Sequence, residues 1–249
     1  MMRALEAEIA KLRHATLPAW TVLVVFVAPF MSGAMASGDR EWLKSLSWSD
    51  FLGMGTLNMA TWYGILLFGL MAAFLFGREY AEGVAPNALT VPMRRELFVL
   101  AKLMILAVWA FALAVLSVVA QGVWATALGH TGFAWSAVYS AFGDTFQVAL
   151  LIFFTLPVVA LVAVVSRSVF APMIFSALGF SVGMIGGVAG WGEWLPWAMP
   201  AAIGGTFLEP LGASGATSIG AGSWAIAATL FVVGVAALLY WVNHADSTS

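Results

Sequence analysis

Apolar positions gather into six long runs, at 17–36, 57–77, 98–126, 145–165, 169–190 and 223–242, parted by shorter stretches that hold most of the charge. A run of about twenty apolar residues is the length of a helix that crosses a bilayer. The runs are continuous rather than alternating with period two, so a closed barrel is not expected. Ahead of the first run, "MRALEAEIAKLRH" sets Leu5, Ile9 and Leu12 on one helical stripe and keeps Glu6, Lys11 and Arg13 off it. That spacing predicts an amphipathic helix on the membrane surface within 1–16. Between the last two runs, "WGEWLPWAMPAAIGGTFLEPLG" is too apolar for a water-facing loop, yet Pro196, Pro200 and Pro210 interrupt it too often for a span. Trp191, Trp194 and Trp197 suit the headgroup layer, where an indole buries its body and keeps its N–H wet. The segment reads as a re-entrant or interfacial element, with a plain aromatic belt as the alternative.

Composition agrees with the pattern. The chain is 62% hydrophobic and 9% charged, whereas a soluble domain carries about 25% charged residues. The absence of cysteine excludes a disulfide framework, a thiolate metal site and a cysteine nucleophile.

Charge adds orientation. Arg3, Lys11, Arg13, Arg78, Arg94, Arg95, Lys102 and Arg167 fall on one side of the six runs, against Arg40 and Lys44 on the other. Acidic residues divide evenly, so the bias belongs to the basic residues, and the positive-inside rule places both termini in the cytoplasm. Ala34-Met35-Ala36 resembles a cleavage site. The apolar run before it exceeds the 7–15 residues of a signal peptide, so the first span is expected to stay.

Absences narrow the function. There is no Gly-x-x-x-x-Gly-Lys-Ser/Thr loop for ATP and no His-Glu-x-x-His, and His14, His130 and His244 all lie outside the runs. The span interiors hold essentially no ionisable group; Lys102 lies near one end, from which it can snorkel. A gradient-driven carrier keeps such a group at mid-depth, so that class is disfavoured. Asn58, Thr61, Gln121, Gln147 and Thr155 read individually as helix–helix hydrogen bonds and together as the weakly polar lining of a route for an amphiphile. Gly179, Gly183 and Gly187 recur every four residues and would let a second helix backbone approach closely, as in subunit pairing. Pro29, Pro157 and Pro172 offer kinks.

The charged exception is "FGREYAEGVAPNALTVPMRRELFVLAK", which gathers Arg78, Glu79, Glu82, Arg94, Arg95, Glu96 and Lys102 between two apolar runs. Pro86 is allowed in the first turn of a short helix, and Pro92 interrupts it. A flexible linker would use Gly and Ser; proline and paired charges make this one stiff, which suits transmitting a push.

The pattern Glu79-Tyr80, Gly83, Leu89, Thr90, Pro92, Arg94 and Lys102 resembles the coupling region of type-two ATP-binding-cassette exporter permeases, within them the small six-span permeases of bacitracin and lantibiotic resistance. Val84 stands where the family has Thr, Pro86 enters the short helix, and Asn87 replaces a common basic residue. The resemblance implies an all-α polytopic membrane protein. Its six spans would be joined by an amphipathic N-terminal helix, a cytoplasmic coupling helix between spans two and three, and an outer element between spans five and six. One transmembrane domain would fill 1–249, with the surface helix in 1–16, the permease in 17–242 and a cytoplasmic tail in 243–249.

It further implies a permease subunit in a bacterial cytoplasmic (inner) membrane, without an ATPase site of its own. ATP and Mg would be bound by a partner ATPase subunit, and a second permease copy or paralogue would complete the route. Coupling would rest on Arg78, Glu79, Tyr80, Gly83, Asn87, Leu89, Pro92 and Arg94. The cargo would be a peptide antibiotic or a lipid-like natural product; nucleic acid is not an expected partner. The alternatives are a non-transporting immunity or accessory protein and a secondary carrier.

Overall fold

The structure, a computed structural model, describes residues 2–13, 15–36, 46–81, 95–203 and 219–244. Among them every regular element is helical: α1 Met2–Arg13, α2 Leu17–Ala36, α3 Trp48–Asn58, a π-turn Met59–Tyr63, α4 Gly64–Ala81, α5 Arg95–Ala127, α6 Trp135–Ser166, α7 Phe170–Val188, α8 Met199–Ile203 and α9 Ala221–His244. The expected coupling helix, with Gly83, Asn87, Leu89, Pro92 and Arg94, lies outside the described residues.

Among the described residues, five helices are long and apolar enough to cross a membrane by length and composition: Trp48–Ala81, α5, α6, α7 and α9. The first expected span contributes a shorter apolar stretch, Leu17–Phe30, within α2. Two spans begin about ten residues earlier than their apolar runs. The second starts at Trp48 because Ser47 and Asp50 cap each other's backbone in a capping box. The fourth starts at Trp135, so that Ser136, Ser140 and Asp144 are helical although polar. Pro172 falls in the first turn of α7, where it needs no hydrogen-bond partner and makes no mid-helix kink.

Trp48–Ala81, α5 and α6 hold 34, 33 and 32 residues, about 50 Å each at 1.5 Å per residue. They form the centre, with α6 touching α4, α5, α7 and α9. α2 is stitched to α5 by the Trp109 indole N–H donating to Thr21 Oγ1 (3.2 Å) and that of Trp124 donating to the Phe26 carbonyl (2.8 Å). The main core runs through Phe68, Met71, Leu75, Leu106, Leu113, Ile152 and Leu156. A second cluster, Trp48, Phe51, Leu52, Val118, Ala125 and Ala141, closes the end remote from α1. Counting roughly twenty residues, one hydrocarbon thickness, from Glu79 and Lys102 reaches Met59 and Gly122. The surplus length of the central helices is thus the part that carries the second cluster.

Candidate functional site

Four charged side chains meet where α1 crosses the ends of α4 and α5. Lys11 Nζ lies 2.8 Å from Glu79 Oε1 and 2.6 Å from Glu8 Oε1. Lys102 Nζ lies 3.1 Å from Glu79 Oε2 and donates to the Leu75 carbonyl at 2.5 Å. Glu8, Glu79 and Lys102 are 3%, 7% and 2% exposed. Burying such groups is expensive unless each is paired; here two carboxylates face two ammonium groups. Phe98 completes the knot, with Lys102 Nζ 4.5 Å and Lys11 Nζ 5.4 Å from its ring centroid.

The knot stands two residues before the end of α4, where segment 82–94 departs. The far end of that segment is also held. Arg95 donates to the Val242 carbonyl at 3.2 Å, and Asn243 donates to Glu96 at 3.0 Å, fastening the start of α5 to the end of α9. The residues on either side of 82–94 are thus tied to α1, α4, α5 and α9.

The sequence-expected residues divide. Glu79 is central to the knot; Arg78 stacks over Phe74 at 5.2 Å, and Tyr80 packs half-buried against the core. Of the N-terminal stripe, Lys11 joins the knot and Leu12 packs on the core, whereas Ile9 is exposed. Leu5 and Arg13 belong to α1, but their side chains lie outside the described residues. Lys102 does not snorkel: it is buried against Glu79, because an opposite charge on a neighbouring helix holds it more closely than distant water. Glu8 and Phe98 went unrecognised in the sequence. The i,i+3 spacing of Glu8 and Lys11 was the available signal.

Burial pulls the Lys11 ammonium down in pKa, but its bonds to Glu79 and Glu8 outweigh this, and the net shift is upward. A raised folded pKa means that the stabilisation is complete below the unfolded value of about 10.4. It is lost as pH climbs through the folded value. Docking of α1 is thus expected to persist to pH 10 and fail above it, read as accessibility of α1 to protease. Lys11→Arg should carry docking to higher pH, since guanidinium stays charged.

Farther from α1, a polar layer crosses the bundle. Tyr63 and Ser117 share a hydrogen bond of 2.6 Å, Gln121 donates to Ser117 at 3.0 Å, and Thr56 meets Thr145 at 2.9 Å. Of the polar residues expected to line a route, Thr61, Gln121 and Thr155 are buried; Gln147 is exposed and bonded to the Gly143 carbonyl.

The glycine stripe of α7 is covered by the chain's own residues 191–203. A Cβ at Gly179 would stand 2.7 Å from the Trp197 ring, one at Gly183 would strike the Trp197 carbonyl oxygen, and one at Gly187 would meet Ala201 Cβ at 3.5 Å. The close approach these glycines permit is therefore taken up inside the chain. Trp197 is partly buried, with Phe175 edge-on at 6.0 Å, whereas Trp191 and Trp194 are exposed.

Residues 4–183 match the family model described as ABC-2 family transporter protein. Over 46 residues the chain is 41% identical to a bacitracin transport permease protein, BCRB, of Bacillus licheniformis; that stretch is 18% of this chain and 22% of the relative.

Proposed function

Because the chain belongs to the ABC-2 family of transporter proteins, we propose that it is the permease half of an exporter driven by a separate ATPase subunit. The cargo is an amphiphile, and a peptide antibiotic such as bacitracin is the first to try, given the relative's name. The basic residues put α1, segment 82–94 and both termini on the cytoplasmic side. ATP and Mg are held by the partner, which engages segment 82–94, and a second permease subunit completes the route.

The charged knot carries this reading. A surface segment that only fixed topology would need exposed basic residues and nothing more. Here a cluster of buried Glu8, Glu79 and Lys102 with half-buried Lys11 welds α1 to the bases of α4 and α5 beside 82–94. A push on that segment then moves several helices as one body instead of bending one.

The test is purification of the tagged chain with its ATPase from the native membrane, followed by ATP hydrolysis with and without vanadate. A vanadate-sensitive activity in the complex is expected. Arg94→Ala should uncouple hydrolysis from export while leaving insertion intact. A chain that protects cells from the antibiotic without ever binding an ATPase would instead be an accessory protein.

A further inference from the structure

The helix from Trp48 to Ala81 is broken by one π-turn. Gly64 N–H donates to the Met59 carbonyl, a bond five residues back, and a Cβ at Gly64 would collide with that same oxygen. A π-turn is an α-helix carrying one surplus residue, and such turns occur disproportionately at working parts of proteins. One residue corresponds to about 100° of helix rotation, so the turn separates two helices whose faces need not move together.

The two halves share α5 and α6 as neighbours, but each also has close contacts of its own. On the α3 side, Thr56 bonds Thr145 of α6, the Gln121 side chain of α5 fills the space over Gly55, and the Trp48 N–H donates to the Thr131 carbonyl at 2.9 Å. On the α4 side, the helix is keyed to α7. Gly69 receives Ser176, and a Cβ at Gly77 would lie 2.7 Å from the Ser168 carbonyl oxygen. These two close approaches key α4 and α7 to each other.

Residues 191–203 rest across this divide. Trp197 sits in the Gly179–Gly183 notch of α7, while α8 packs against α6, α7 and the π-turn. Among the described residues, the backbone hydrogen bonds of Trp191 through Ala201 stay within the segment or reach Gly186. Among the described residues its contacts with the bundle are apolar, so a shift of this segment would break no polar tie. The polar layer beside the turn is incompletely satisfied: Asn58 Nδ2 and Gln121 Oε1 are buried without a hydrogen-bond partner.

We infer that Met59–Tyr63 is a register joint: α4 and α7 turn together beneath it, and that turn unseats residues 191–203. The joint supplies the functional reading above with a moving part, but its test needs no ATPase, so the two ideas fail separately.

The chain has no cysteine, which permits a direct measurement on the full-length protein in nanodiscs. Ala201→Cys reports on the wedge. Ala141→Cys, at the same 5% exposure in the second cluster, is the control. The thiol at 201 should react with a maleimide about tenfold faster or more, since local opening precedes labelling. Deleting Ala60 removes the surplus residue and should leave a continuous helix with both flanking registers unchanged. The deletion variant should fold, and its thiol at 201 should slow to the rate at 141. Equal rates at the two positions in the full-length chain would overturn the inference. So would an undiminished rate at 201 after the deletion. If the deletion variant fails to fold, the comparison of positions 201 and 141 in the full-length chain decides alone.

Discussion

Glu79→Ala is expected to destabilise the protein by about 3–5 kcal/mol, the cost of stripping one partner from a buried ion pair. The carboxylate serves two ammonium groups, and after its loss their fates differ. Lys11 keeps Glu8 at 2.6 Å and some access to water. Lys102, at 2% exposure, retains the Leu75 carbonyl, two aromatic faces and the more distant charge of Glu8, with no second ion pair among the described residues. Most of the penalty therefore belongs to Lys102, and Lys102→Met in the Glu79→Ala background should recover much of it. Lys102→Met alone should cost less than Glu79→Ala, because Glu79 would still hold Lys11. Unfolding of the four proteins in mixed micelles completes the cycle. Additive effects would mean that the pair is not coupled. The double variant also separates stability from coupling: it should fold almost as well as the parent, yet its α1 should be loosened, and under the proposed function its complex with the ATPase should hydrolyse ATP with little transport.

The class of fold was legible because hydropathy reports helix length directly, and the charged segment stood out against an apolar background. Helix ends were less legible. Residues 48–56 and 135–144 are helical for reasons hydropathy does not weigh: a reciprocal Ser47–Asp50 cap in one case, and in the other packing of Ala137, Val138 and Ala141 against the second cluster. Lys102 looked like a solitary cation at a membrane edge because its partner lies on another helix, 23 positions away in sequence. The π-turn left no sequence signal beyond Gly64, since an extra residue changes the register of a pattern without changing its composition. The glycine stripe was visible, but its occupant was not. Spacing shows that something comes close to α7; it does not show which backbone.

That ambiguity yields the sharpest contrast among single substitutions. Gly183→Leu should displace residues 191–203, because the new side chain begins where the Trp197 carbonyl oxygen already is, and a backbone atom cannot swing aside as a flexible side chain can. Gly187→Ala, one turn along the same stripe, should be neutral or slightly stabilising. Its methyl would touch Ala201 Cβ at 3.5 Å, an ordinary contact, and exchanging Gly for Ala inside a helix is worth up to about 1 kcal/mol. Forcing extra volume at 183 typically costs about 1–3 kcal/mol. It should appear as a lower unfolding midpoint together with faster thiol labelling at position 201. If the stripe instead met a second copy of the chain, bulk at 187 would act like bulk at 183, and both would shift the monomer–dimer balance in detergent while leaving the labelling rate at 201 unchanged. Measuring the two variants by both readouts therefore separates a glycine notch filled by the chain's own tryptophan from one kept open for a partner.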